Sequence, residues 1–389
     1  MRLTDFLPIF GWLKTYSRND FHGDLFASAI TAILLVPQGI AYALLAGIPP
    51  QLGLYASILP PMLYVLFGTS RTLSVGPVSI AAVMIASAIN APEISALQQP
   101  AQSAVILAAE TGVLMLLMAL LRLGGLVNFI SHPVLTGFTS GASILIVLSQ
   151  LPPLLGLAKT ACTGSFICHA ENVKTANTAT LLIGFSALIL LILFGKPLTG
   201  LLKKTALKPA WITAISKCGP LLTVALGAIA VNVLDLQSTH QVATVGQIPA
   251  GFPKLHVEAI DPEHWRLLLP YAALIALIAY VESVAIAKAI ANLKGEKIRP
   301  NNELLGLGAA NIASALSGGM AVAGGFSRTM VNFSAGARTQ IAMLMAAVFV
   351  AVALIFFSPY FAAIPKSVLA AIILAAITPL IRLKNIVHT

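Results

Sequence analysis

Apolar residues recur along this chain in runs long enough for a helix to cross a bilayer, which takes about 20 residues. The runs fall near 22–46, 52–69, 75–91, 101–122, 128–150, 178–195, 212–234, 267–292, 301–318, 325–337, 339–357 and 361–381. This pattern predicts twelve helical segments joined by polar links, with the fifth ending early at Pro152 and Pro153. Segments three and ten are short and are entered through Leu73-Ser74-Val75-Gly76-Pro77-Val78-Ser79 and Ala321-Val322-Ala323-Gly324-Gly325-Phe326-Ser327. Each reads as a short extended piece, then a break (Gly76 and Pro77, or Gly324 and Gly325), a bulky residue, a serine, and a helix.

Composition moves this pattern from a guess about helices to a protein class. Hydrophobic residues make up 58% of the 389 positions and charged ones 9%, and the mean hydropathy is +0.92. A soluble globule carries about 25% charged residues, so the expectation is an integral, multi-pass membrane protein with lipid as a partner. The formal net charge of +10 raises nucleic acid as a partner. The basic residues do not cluster with aromatics on one soluble face, however, and nucleic-acid binding is set aside. With a cytoplasmic N-terminus, 17 of the 23 basic residues fall in inside regions. Lys159, Lys174, Lys254, Arg266 and Lys366 fall outside, and Arg328 lies within a segment. That bias fits the positive-inside rule and a bacterial inner membrane, with Lys203, Lys204 and Lys208 as an inside signal. Residues 1–20 read as a cytoplasmic amphipathic lead-in, not as a cleaved signal. The links near 151–177 and 235–266 are then external. Cys162 and Cys168 share the first of these, either as a disulfide or as two free thiols. With Cys218 they form no metal-ligand spacing, so no metal and no cofactor is expected.

Candidate chemistry centres on Arg328. An arginine in mid-bilayer costs roughly 2.5–3.5 kcal/mol on the insertion scale, which makes it a functional candidate. A helix that starts inside the membrane, with Ser327 or Thr329 as its cap, presents free N–H groups and a positive dipole end to an anion. Ser79 and Ser327 lie 248 positions apart, and Gln38 and Glu282 lie 244 apart. Segments three and ten run in opposite directions in the twelve-segment topology, so the repeat is inverted, a pattern that marks transporter binding sites.

The stretch Val36-Pro37-Gln38-Gly39-Ile40-Ala41-Tyr42-Ala43, together with residues 46–50 and 53–57, resembles the signature of the SulP family of anion transporters, which includes prestin. Residues 129–138, 246–253 and 327–332 match the same family, so the resemblance runs from residue 24 to about 382. It implies fourteen helices in two inverted sets of seven. Helices 1–4 and 8–11 form a core domain, helices 5–7 and 12–14 a gate domain, and a cytoplasmic STAS domain follows. On this chain the core is expected at 21–127 and 266–360, and the gate at 128–265 and 361–389. The sequence stops at Thr389. The expectation is therefore an all-α polytopic membrane protein of the seven-plus-seven inverted-repeat fold, lacking its last two helices and the STAS domain.

Gln38 and Tyr42 are four apart and share a helix face. The resemblance implies that this face borders the anion; an interhelical hydrogen bond and an interfacial ring are the plainer alternative. Ser79 and Ser327, with the amides of Val78 and Phe326, sit at the two half-helix starts as neutral donors, and Val78 and Phe326 also supply apolar walls. Glu282 is expected either to switch between a pair with Arg328 and a protonated form or to form a static pair with it. In plant-type sulfate members of the family the matching glutamate is implicated in proton coupling. Glu110 is a second intramembrane acid, read as a proton site or, with more weight, as a structural hydrogen-bonding group. His132 reads as a packed helix-entry residue. These readings converge on secondary active transport of a small inorganic anion by an elevator-like or rocking mechanism. Sulfate leads, with a proton (or sodium) as coupling ion. Bicarbonate, chloride and dicarboxylate remain open, as do a passive channel, a voltage-responsive motor and a homodimeric assembly. An enzyme is disfavoured, because the chain has no H-E-x-x-H, no G-x-S-x-G and no carboxylate pair beside a nucleophile.

Overall fold

The structure, a computed structural model, describes residues 7–128, 132–157, 176–206, 209–249, 251–252 and 261–378. Cys162 and Cys168, Lys208, residues 129–131 and the side chain of His132 lie outside the described residues.

Ser17 opens α1 (Arg18–Leu45) with a reciprocal cap. Its hydroxyl accepts from the Asp20 N–H at 3.2 Å, and the Asp20 carboxylate accepts from the Ser17 N–H at 2.9 Å. Gly47, at φ +76°, turns the chain into α2 (Pro50–Tyr55). The run expected as one helix at 52–69 is two, because α3 (Leu59–Phe67) restarts at Pro60 and Pro61, which cannot donate back to the preceding turn. Then follow β1 (Val75–Gly76), α4 (Ser79–Ile89), α5 (Pro100–Leu120), α6 (His132–Leu155), α7 (Thr178–Phe194), α8 (Gly219–Val233) and α9 (Pro262–Lys294). The chain continues with α10 (Pro300–Leu316), β2 (Ala323–Gly324), α11 (Phe326–Ser334), α12 (Ile341–Phe361) and α13 (Lys366–Ile377). The early stop expected at Pro152 and Pro153 does not occur. Lying in the last turn of α6, they remove two backbone bonds without ending the helix, which stops before Gly156 at φ +64°.

Among the described residues seven helical stretches are long and apolar enough to span a membrane, with α2 and α3 together counting as one of them. Segments three and ten, expected to be short, form helices of 11 and 9 residues. The chain divides into two compact units, residues 1–132 with 251–354 and residues 133–250 with 355–389.

Within the first unit, helices approach at small residues, the usual device where lipid gives no hydrophobic drive for association. A Cβ at Gly53 would stand 2.0 Å from the Gly39 carbonyl oxygen, so α1 and α2 touch backbone to backbone. A Cβ at Gly112 would stand 2.8 Å from the Ile312 amide nitrogen, which brings α5 against α10. Two buried carboxylates tie distant pieces together. Glu303 on α10 accepts from the Tyr64 hydroxyl (2.5 Å), the Thr69 amide (2.7 Å) and hydroxyl (2.5 Å), and the Ser70 amide (3.1 Å). Asp24 on α1 accepts from the amides of Arg338 (2.7 Å) and Thr339 (3.0 Å) and from the Thr339 hydroxyl (2.5 Å), pinning the start of α12. In the second unit a Cβ at Gly227 on α8 would meet Val368 on α13 at 2.8 Å. Leu182, Phe185, Ile189 and Ile192 on α7 are exposed and suit contact with lipid.

Candidate functional site

Two short strands set the geometry. β1 and β2 pair antiparallel, with Val75 opposite Gly324 and Gly76 opposite Ala323, and the Gly325 amide donates to the Ser74 carbonyl at 3.0 Å. Extended backbone inside an apolar fold must have every polar group satisfied, and here buried side chains do so. Ser283 of α9 accepts from the Gly324 amide at 2.8 Å. Asn311 of α10 accepts from the Val322 amide at 2.9 Å and donates to its carbonyl at 3.0 Å. Thr329 of α11 accepts from the Ser74 amide at 3.0 Å, Asn332 donates to the Thr72 carbonyl at 3.0 Å, and Gln340 donates to the Leu73 carbonyl at 3.0 Å. So braced, the strands deliver two helix starts side by side.

Val78 is the N-cap of α4 and Gly325 that of α11, and neither helix has a side-chain cap. The capping expected of Ser327 or Thr329 is thus corrected: both already lie inside α11, and the Thr329 hydroxyl donates back to the Gly325 carbonyl at 2.7 Å. The first amides of both helices are left without side-chain acceptors, beside the buried Val78 and Ser79 and the half-buried Phe326 and Ser327.

Arg328, 2% exposed, turns its guanidinium across to the other half-helix. Nη1 donates to the Pro77 carbonyl at 2.6 Å and to Gln38 Oε1 at 3.3 Å, and Nε lies 3.4 Å from the Ser74 hydroxyl. Nη2 is buried without a partner. The glycines at the break leave room for this fork. A Cβ at Gly325 would stand 2.8 Å from Nη2, and one at Gly76 would stand 3.4 Å from it. Gly325 has φ −96°, so close approach and not backbone conformation is what calls for glycine there. Gly324 abuts Leu73, 2.7 Å from where its Cβ would be. Tyr42 is buried one turn beyond Gln38 on α1.

Glu282 lies on α9, in a crevice with Val78, with Ile80, Ala81 and Met84 of α4, and with Ile275 and Ala279 of its own helix, too narrow for a water molecule. Its Oε2 is buried without a partner. No Glu282–Arg328 ion pair of 4.0 Å or less occurs among the described residues, so the expected pair is absent from this conformation. The guanidinium is committed instead to Pro77, Gln38 and Ser74. Glu110, 3% exposed on α5, is not a lining residue of that crevice, and its Oε2 also lacks a hydrogen bond. The structure brings Gln38, Val78, Ser79, Phe326, Ser327 and Arg328 together at the strand pair, with Gly76, Pro77, Gly324 and Gly325 as its frame, and leaves Glu110 apart. Sequence reading missed Ser74, Asp24, Ser283, Glu303 and Asn311. Asp24 and Glu303 were detectable by the rule that marked Glu110 and Glu282, an acid inside an apolar run.

Two half-helices starting beside one buried cation, within a bundle of spanning helices, define a multi-pass membrane protein of the broken-helix, inverted-repeat class. The chain belongs to the sulfate permease family, whose sequence model matches residues 21–389. "Probable sulfate transporter 4.2" of Arabidopsis thaliana is 36% identical over 381 residues, covering 96% of this chain and 54% of that protein. "Sulfate transporter 4.1, chloroplastic" of the same plant is 36% identical over 388 residues, covering 98% and 55%. The chain thus spans about half the length of these relatives. The fold is that of SLC26A9 (TM-score 0.88, 22% identity, 99% of this chain and 62% of that one). It is also that of the transmembrane domain of a cyanobacterium bicarbonate transporter, BicA (TM-score 0.81, 23% identity, 96% and 92%).

Proposed function

We propose that this chain is the membrane part of a secondary active anion transporter, with the anion held between the N-termini of α4 and α11. The observation that carries this reading is the buried Arg328: its partners are a carbonyl, an amide oxygen and a hydroxyl, none of them charged, and its Nη2 is free. A mobile anion supplies the missing charge. Gln38, Tyr42, Val78, Ser79, Phe326 and Ser327 border it, and neutral donors let it leave again. Glu282 is the proton carrier, with Glu110 as a second protonatable site in the same unit. The first unit acts as the moving core and the second as the gate in an elevator-like cycle.

Sulfate with proton symport is the leading substrate, supported by the names of the relatives and by the acid at 282. Bicarbonate is the alternative, supported by the likeness to BicA. The test is uptake of labelled sulfate, bicarbonate, chloride and dicarboxylates by proteoliposomes, with and without a pH gradient. Concentrative, pH-driven sulfate uptake is expected; flux that only follows the anion's own gradient would point to a passive channel and sink the proposal.

A further inference from the structure

Two spanning stretches of the second unit, Thr178–Leu202 and Trp211–Val233, are joined by a basic link. The first continues past Gly195 into a short helix, Lys196–Leu202, and the second is entered through the helix Pro209–Lys217. These two short helices touch through Thr199 and Ser216, whose hydroxyl oxygens stand 3.0 Å apart. Lys196, three positions before Thr199, is its neighbour on the helix face, and Lys217 follows Ser216 directly. The contact thus sets one lysine from each helix at the same level.

No acid in this unit balances them. The chain has no Asp or Glu between Glu171 and Asp235, and the whole second unit has only these two. Glu171 comes before α7 and Asp235 after α8, whereas the lysines lie between the two helices. Lys217, the closest of them to Asp235 in sequence, is 18 positions away, or about 27 Å at the rise of a helix. Among the described residues Lys196, Lys203, Lys204 and Lys217 have no carboxylate within 4.0 Å and no hydrogen-bond acceptor for their ammonium groups. Four positive charges stand unmatched.

Depth decides what can supply the missing charge. A helix needs about 20 residues to cross the hydrocarbon core. Counted from Thr178 they end at Pro197, and counted back from Val233 they end at Ala214. Lys196 and Lys217 therefore lie within a turn of the plane where acyl chains meet headgroups, with Lys203 and Lys204 a turn or more beyond it. Lys217 is half-buried, and a lysine at that depth extends its ammonium outward along its own apolar stem. Trp211, 56% exposed, and Leu201, 64% exposed, stand just outside the same plane, where tryptophan lodges among headgroups. A soluble acidic protein could reach Lys203 and Lys204 but not Lys196, whereas a lipid phosphate sits at the level of Lys196.

We propose that this link binds the phosphate of an anionic phospholipid, held between Lys196 and Lys217. Lys203 and Lys204 raise the local concentration of such lipids without gripping one. The inference rests on the chain being a membrane protein and not on what it transports.

The test is native mass spectrometry of the detergent-solubilised chain titrated with phosphatidylglycerol or phosphatidylcholine. The two share a phosphate, but the choline of the second cancels its charge. The wild type is expected to hold one phosphatidylglycerol ~10-fold or more tightly than phosphatidylcholine. Lys196→Gln with Lys217→Gln should remove that preference, whereas Lys203→Gln with Lys204→Gln, at exposed and screened positions, should weaken binding by less than ~3-fold. Should the first pair fail to fold, Lys196→Gln alone, at an exposed position, should still weaken binding by ~3-fold or more. Equal losses from the inner and outer pairs would show a diffuse attraction to charged membranes and overturn the proposal. So would equal retention of the two lipids by the wild type. Displacement of phosphatidylglycerol by inorganic phosphate at a similar concentration would also overturn it, marking a site for a soluble ion.

Discussion

Arg328 carries a full charge, and the oxygens of Pro77, Gln38 and Ser74 return only partial charge to it. Replacing it with alanine should weaken apparent anion affinity by ~10-fold or more, a loss on the scale of one charge-assisted hydrogen bond. Uptake as a function of anion concentration at low salt measures this, and unaltered affinity would remove the arginine from the site. Gly325→Ala tests the same group from the other side. Its Cβ would sit 2.8 Å from Nη2, so the fork must move, at an overpacking cost of about 1–3 kcal/mol. Uptake should fall while the helical circular dichroism spectrum stays intact. Glu282 makes a different kind of prediction. Glutamine keeps its shape but cannot gain or lose a proton, so Glu282→Gln should abolish pH-driven uptake while sparing anion exchange at a fixed pH. Uptake by the variant that still follows the imposed pH gradient would rule out Glu282 as the carrier.

At the scale of elements, the strand pair is secured from outside by helices distant in sequence, and this is where sequence reading gave out. The half-helices were legible because Gly76, Pro77, Gly324 and Gly325 are local punctuation next to serines. The braces were not. The acceptor for the Gly324 amide is a serine 41 positions away, and the donors to Glu303 lie 233 to 239 positions away. Neither pairing leaves a periodicity for a local reading to detect. The same distance hid the Arg328–Pro77 bond, whose acceptor is a backbone carbonyl and carries no side-chain signature at all. Glu303 should therefore matter more to folding than a lone acid near the start of an apolar run suggests, because its partners are invisible to a local reading. Glu303→Ala leaves the buried Tyr64, Thr69 and Ser70 donors without an acceptor and should cost about 1–3 kcal/mol for each donor that stays unsatisfied. That loss is readable as a lowered melting temperature in detergent, whereas an unchanged melt would show the hub to be dispensable.

For the whole molecule, the basic residues predict an orientation that chemical labelling can check. Lys203 and Ser238 are both exposed and lie on the two sides of α8. In intact cells, and with Cys162, Cys168 and Cys218 replaced by serine, an impermeant thiol reagent should label Ser238→Cys and spare Lys203→Cys, and the reverse pattern would invert the topology. The strand pair also constrains how the protein is made. Ser74 and Thr329, joined directly, are 255 positions apart, which ribosomes cover in about 13–50 s at ~5–20 residues per second. For that interval the first half-helix waits in or near the membrane with strand β1 unpaired, and biosynthesis must shelter it until its mate emerges. A chain released before residue 324 would carry half of the site with its edge exposed, a substrate for quality control and not a weakened transporter.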